Sequence, residues 1–255
     1  MDKPPPDAYG RLAYRSLIAW PERLRREAPL LRRVLEAGPS PRVLDLGCGS
    51  GEHSRFLQSL GFETTGLDAS PSQLEAARAE DNEGRYLQAS LTDLAAAALP
   101  LHGAALCVGN TLPHLVEEAQ LRAFFGGLAA CLEPGSPFLL QLLNYDRILD
   151  RGERTFPVVL RPGEGEGETV FLRLMTHHGG DRLTFTPASL RYCPGTDTPL
   201  SLVAAQDVSL RGWRRSEVEP LLREAGFELR DTLGTMTGEP WSPTSSDLVV
   251  VARRN

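Results

Sequence analysis

Apolar residues in the middle of this chain come in short runs separated by amphipathic stretches. From Arg42 onward, apolar runs at 42–46, 62–67, 85–89, 104–109 and 136–143 read as strands. Helical spacing falls between them, near 52–60, 71–80, 92–97 and 117–132. Ser70 followed by Pro71 is a helix start, and Pro134-Gly135 forces a turn into the fifth strand. Strands that are nearly all apolar and alternate with helices predict a mainly parallel sheet covered on both faces.

The flanks differ. Residues 1–7 read as a loose tail. From Ala8 to Ala37 the apolar residues (Leu12, Leu17, Ile18, Leu24, Leu30, Leu31, Val34, Leu35) recur at helical spacing. Pro21 and Pro29 predict a division of this stretch into two or three short helices. Gly38-Pro39-Ser40-Pro41 ends it. After Asp150 the helical rhythm stops. Runs at 158–160, 170–176, 183–186 and 202–210 are β-like, with Gly179-Gly180-Asp181 as a hairpin turn and Gly163 to Glu168 as a charged loop. The α/β pattern then returns. Ser216 is the expected cap of a helix ending at Ala225-Gly226, followed by strands at 227–233 and 247–253. The expected division is a main domain of residues 8–150 plus 213–255 and a β-rich insertion of residues 151–212. The insertion leaves from the strand-end edge where ligands bind such sheets, so it is expected to be a substrate lid.

Composition narrows the function classes. The chain has 255 residues, 24 % charged and 41 % hydrophobic, with a net charge of −6, which argues against a broad nucleic-acid surface. Cys48, Cys107, Cys131 and Cys193 are scattered without metal-ligand spacing, and three sit in apolar stretches. Buried thiols in a reducing cytoplasm are the expectation. Met1-Asp2-Lys3-Pro4-Pro5-Pro6 lacks the apolar core of a signal peptide, and no run reaches the roughly 20 residues of a membrane span. His177-His178 has no ligand partner in the sequence, so no metal site is expected. Tyr192, Trp213 and Trp241 are expected to pack rather than line a pocket.

The chemistry concentrates in Asp45-Leu46-Gly47-Cys48-Gly49-Ser50-Gly51, where a strand turns through glycines into a helix. Glycine lets the backbone approach a ligand closely. A dinucleotide site would bring pyrophosphate to this helix start, but Glu52 would repel it. A phosphate loop would need a Gly-Lys-Ser/Thr ending, which is absent. Asp45 suits a ligand with an ammonium group. Asp68 ends the second strand, where a ribose is gripped.

This stretch resembles motif I of the class I S-adenosylmethionine-dependent methyltransferases. The resemblance implies an α/β fold of Rossmann-like type, a mainly parallel seven-stranded sheet with helices on both faces. An N-terminal helical cap and a β-rich insertion after strand five complete the expected fold. It also implies S-adenosylmethionine as cofactor, with S-adenosylhomocysteine as product. Gly47, Cys48 and Gly49 then lie along the cofactor, Asp68 and Ala69 at its ribose, and Ser90 and Leu91 at its adenine. Ser90 stands where the family often has an aspartate. Cys107-Val108-Gly109-Asn110-Thr111-Leu112-Pro113-His114-Leu115 and Asn144-Tyr145-Asp146 resemble segments of the glycine and sarcosine N-methyltransferase-like branch. That likeness implies cofactor contact by Asn110 and catalytic roles for His114, Asn144 and Tyr145. His114 is a candidate base, or a histidine that positions the cofactor carboxylate. Trp20-Pro21-Glu22-Arg23-Leu24 resembles the branch's cap helix, which makes Tyr14 and Arg23 candidates for closing over the cofactor. The branch's carboxylate-binding arginine is replaced by Leu143, which makes glycine an unsuitable acceptor and favours a less polar amine or hydroxyl.

The expected reaction is SN2 methyl transfer to nitrogen or oxygen of a small molecule. Three rivals remain open from the sequence: a protein or nucleic-acid methyltransferase, a non-catalytic S-adenosylmethionine-binding protein, and a nicotinamide dehydrogenase. The second is told apart by turnover, the third by its preference for a nicotinamide cofactor.

Overall fold

The computed structural model describes residues 18–163 and 167–255. Tyr14, residues 8–17 of the expected cap and the centre of the charged Gly163–Glu168 loop lie outside them.

The seven-stranded sheet runs in the order β11-β12-β5-β4-β1-β2-β3. Its strands are β1 (Arg42–Leu46), β2 (Glu63–Asp68), β3 (Arg85–Gln88), β4 (Ala104–Cys107), β5 (Pro137–Leu143), β11 (Phe227–Leu233) and β12 (Asp247–Arg254). Strands β1 to β5 pair in parallel, whereas β12 runs antiparallel to both β5 and β11. Alternation of side chains splits the strands between two cores. Val43, Leu106, Leu139 and Val249 face one core, under helix α1 (Trp20–Leu35) and α2 (Glu52–Ser59). Leu44, Phe138, Leu140 and Val250 face the other, filled by Leu121, Phe124 and Phe125 of α4 (Glu118–Cys131) and by Val218 and Leu222 of α6 (Arg215–Glu224). Helix α3 (Pro71–Glu80) follows β2, capped by the Ser70 hydroxyl as expected.

Three sequence expectations need correction. Helix α1 is continuous through Pro29. Pro21 sits in the first turn, where no N–H partner is lost, and Pro29 lies on the exposed side. Burial of Leu30, Leu31, Val34 and Leu35 against the sheet holds the helix together across it. The 92–97 helix is a 3₁₀ segment, Leu91–Ala96, its polar start held by Ser90. Helix α6 begins one residue before Ser216, with Arg214 at the cap and the Glu217 carboxylate accepting the Arg214 N–H at 2.9 Å. A short helix not expected, α5 (Tyr145–Arg151), follows β5.

A second sheet inserts between α5 and α6. It holds β6 (Val159–Pro162), β7 (Glu168–His177), β8 (Arg182–Tyr192), β9 (Leu200–Ala205) and β10 (Val208–Arg211). Both β9 and β10 pair with β8, β10 along its first half and β9 along its second, so the expected single run at 202–210 is interrupted at Gln206-Asp207. Trp213, fully buried where the chain leaves this sheet, donates its indole N–H to the Leu115 carbonyl at 2.8 Å. Trp241 is half-buried under the Arg215 guanidinium, and Tyr192 is half-buried on β8. No described helix is long and apolar enough to cross a membrane.

Candidate functional site

At the carboxyl end of β1 the backbone turns so tightly that only glycine fits. Gly47, Gly49 and Gly51 all have positive φ, and a Cβ on Gly47 would stand 2.4 Å from Thr111 Cγ2. The N–H groups of Gly47 and Cys48 donate to the Leu67 carbonyl at 2.7 and 3.1 Å, tying the turn to β2. Asp68 then fixes it from the side. Its two carboxylate oxygens accept the Gly49 N–H at 2.9 Å and the Ser70 N–H at 2.8 Å. Burial raises the Asp68 pKa, opposed by these N–H groups and by His114. Ala69, beside it, is exposed.

Asp45 is buried at the root of the turn, and the Ser54 hydroxyl donates to it at 2.7 Å. Burial pushes its pKa up, against the pull of His53 and Ser54. Asp45 therefore underlies the turn and does not project from it. Asp45, Asp68 and Glu52 together hold the buried Cys48 thiol protonated, burial being the larger cause. An acid-rich floor of this kind favours a cationic ligand and disfavours pyrophosphate.

Behind the turn lies a buried histidine–carboxylate pair that the sequence did not disclose. His53 Nε2 and the Glu27 carboxylate are 2.7 Å apart, joining α2 to α1. Burial alone would raise the Glu27 pKa, but His53 and Arg23 outweigh it and hold the carboxyl below its ordinary value. Arg23 donates to Glu27 at 2.8 Å and lies over the Trp20 ring.

Arg23 also borders a cavity of about 690 Å³ on the α1 side of the sheet. Its floor is Gly109, Asn110, Gln141 and Leu143, with Asp247 at the start of β12. Phe156, Phe171 and Phe185 line it from the insertion. The floor is wired together. Gln141 accepts the Gly109 N–H at 2.7 Å and donates to Asp247 at 2.7 Å, and the Ser246 hydroxyl donates to the other Asp247 oxygen at 2.7 Å. Burial raises the Asp247 pKa, against the hydrogen bonds of Ser246 and Gln141 and the charges of Arg23 and Arg147. Neither Gln141 nor Asp247 was singled out from sequence. The available signals were one polar residue inside an apolar strand and an acid opening an apolar run.

The remaining candidates divide. Asn110, at φ +66, donates to the Tyr145 hydroxyl at 3.0 Å and accepts the Leu143 N–H at 3.1 Å, while bordering the cavity. Tyr145 is buried in the core, where burial raises its phenol pKa. Asn144 is buried too. Its side chain caps α5 and donates to the Ser245 carbonyl at 3.0 Å. Asn144 and Tyr145 tie the loops around the site together and are not among the residues lining this cavity. Ser90 caps the 3₁₀ helix, accepting the Thr92 N–H, and Leu91 joins the core. His114 lies outside the cavity lining, with Asp68 as its charged neighbour. Its ring is exposed yet hemmed in by protein, and this partial desolvation lowers its pKa. Nδ1–H donates to the Thr111 carbonyl at 2.9 Å, which leaves the neutral ring's lone pair on Nε2. His177 bonds the Glu153 carbonyl and His178 the Thr184 hydroxyl, and no metal-binding cluster exists among the described residues.

A glycine turn with a strand-end acid, in a sheet of this order, defines a nucleoside-binding α/β protein. A model of the methyltransferase domain family matches residues 43–135. The glycine/sarcosine N-methyltransferase of Halorhodospira halochloris is 31 % identical over 224 residues, covering 86 % of this chain and 77 % of that protein. That of Parasynechococcus marenigrum (strain WH8102) is 32 % identical over 153 residues, 58 % of this chain and 52 % of that protein, so the chain spans about half its length. S-adenosylmethionine-bound CalS10, an amino pentose methyltransferase from Micromonospora echinaspora, shares the fold, with a TM-score of 0.73 at 22 % identity over 95 % of both chains. The chain belongs to the class I S-adenosylmethionine-dependent methyltransferases, in the neighbourhood of the glycine/sarcosine N-methyltransferases.

The residues present fit that cofactor. Asp68 can accept from both ribose hydroxyls, the glycine turn admits backbone approach, and the acid-rich floor suits a ligand carrying an ammonium and a sulfonium but no phosphate.

Proposed function

We propose that the protein methylates the nitrogen of a small-molecule amine, and that the cavity floored by Gly109, Gln141 and Asp247 receives the acceptor. The observation that carries this reading is Asp247, an acid bordering the cavity and oriented by two hydrogen bonds. When bound, S-adenosylmethionine would supply an electrophilic sulfonium methyl, transferred to a neutral amine with the N–CH₃ bond forming as the CH₃–S bond breaks and S-adenosylhomocysteine leaving.

The chain's own work is alignment, exclusion of water and proton handling. Alignment of two reactants can contribute several kcal/mol, about 7–11 in the best cases. An amine arrives from neutral water as an ammonium, R–NH₃⁺, and attacks only as R–NH₂. Asp247 is suited to attract the ammonium and to accept its proton, since burial has already raised its affinity for one. A hydroxyl acceptor would gain less from this acid and more from a base such as His114, which does not border the cavity. The two relatives named above, both N-methyltransferases, favour the same reading. The insertion sheet acts as the lid that excludes water.

The test is radiolabelled methyl transfer to matched panels of amines and alcohols. The reading predicts N-methylated product, and a loss in kcat of about 10²-fold or more in D247N, the size expected for a general base. Transfer to alcohols alone, or full activity in D247N, would overturn it. Cofactor binding without transfer to either panel would favour a non-catalytic binding protein.

A further inference from the structure

The insertion sheet presents two cations to the cavity, and neither forms an ion pair among the described residues. Val159 on β6 pairs with Phe171 on β7, and residues two apart share a face, so Val159, Arg161, Phe171 and Arg173 point the same way. All four border the cavity. Arg173 lies with its guanidinium over Phe156 at 5.4 Å and donates Nη2 to the Pro157 carbonyl at 3.3 Å. Its Nε is buried without a hydrogen-bond partner. Among the described residues, Arg161 donates to its neighbour's carbonyl, that of Leu160, at 3.3 Å.

Among the described residues, no carboxylate forms an ion pair with Arg161 or Arg173, unlike arginines close by. Arg23, in the same cavity, pairs with Glu27, while Arg182 and Arg211 of the insertion sheet reach Glu117 and Asp181. Acids are not scarce, with 33 against 27 Lys and Arg in the chain. A partly buried guanidinium ordinarily has an anionic partner, and its flat fork of donors matches a carboxylate. The floor residue Leu143 offers no charge for that purpose.

Resting on the acceptor cavity proposed above, we infer that the acceptor is an amine bearing a carboxylate remote from its nitrogen, and that Arg173, supported by Arg161, recognises that carboxylate. The nitrogen's partner, Asp247, belongs to the seven-stranded sheet, and the carboxylate's partner belongs to the insertion sheet. Aromatic side chains line the cavity as well. An apolar segment between the two polar groups satisfies this arrangement, whereas an α-amino acid carries both on one carbon.

The experiment is calorimetric titration of the full chain, saturated with S-adenosylhomocysteine, using 4-(aminomethyl)benzoate, its neutral isostere 4-(aminomethyl)benzamide, and glycine. The benzoate is expected to bind at least tenfold more tightly than the amide or glycine. R173Q should erase that preference while leaving S-adenosylhomocysteine affinity unchanged, and R173K should restore part of it. Equal binding of benzoate and amide, failure of both to bind, or a preference that survives R173Q overturns the inference. Failure of S-adenosylhomocysteine itself to bind instead brings down the methyltransferase reading, and the inference with it.

Discussion

The β1–α2 turn and the insertion sheet are built to different tolerances. At the turn, a Cβ on Gly47 would overlap Thr111 and one on Gly51 would overlap Tyr86, and Asp68 pins the backbone through two N–H groups. On the insertion sheet, β9 leaves Leu200, Leu202 and Val203 between 50 % and 65 % exposed, with little packed against them. A site for a fixed ligand is held by backbone, where a change of one atom is felt. A surface that sets acceptor choice works through side chains on a scaffold that tolerates change.

Substitutions should expose that contrast. Within the turn, the largest effect is expected from G47A, which combines a clash with Thr111 and an alanine at φ +71. Left-handed backbone alone costs a non-glycine residue about 1–2 kcal/mol. Cofactor affinity should fall by more than about tenfold on these grounds, read by calorimetry, with a lowered melting temperature. E27Q comes next, because it leaves buried His53 without its carboxylate. Breaking a buried pair costs about 3–5 kcal/mol, or roughly 10 °C in a chain of this size. The Glu27 carboxyl titrates below its ordinary value in the folded state. Its stabilisation is therefore full above the ordinary glutamate range and lost as pH falls through the lowered value. The gap between wild type and E27Q should close in strong acid, as thermal melts across pH would reveal. At the other extreme, L202S on the exposed β9 strand should change stability by no more than about 0.5 kcal/mol in denaturant titration.

Legibility in the sequence followed the same division. The glycine turn and Asp68 were readable because their constraints are local: a strand, a turn and an acid in fixed order. The seven strands were readable because each is a short apolar run, and the structure moves their ends by only a residue or two. Pairings between distant segments left no such trace. Glu27–His53 joins two helices, and the Gly109–Gln141–Asp247 chain joins three strand ends. The burial of Asn144 and Tyr145 was equally hidden in the sequence. Their place after β5 suggests contact with substrate, but β5 turns into α5 there and carries both side chains inward. Pro29 suggested a break because its local penalty is visible in sequence, while the burial that overrides it is tertiary.

The central claim is that the glycine turn and Asp68 hold S-adenosylmethionine, and calorimetric titration of that cofactor into wild type and D68A tests it most directly. Losing hydrogen bonds to a charged acceptor costs about 1.5–3 kcal/mol, so D68A should bind roughly 10–100-fold more weakly than a micromolar wild type. Equal affinity in the two proteins, or no binding by wild type, would contradict the account.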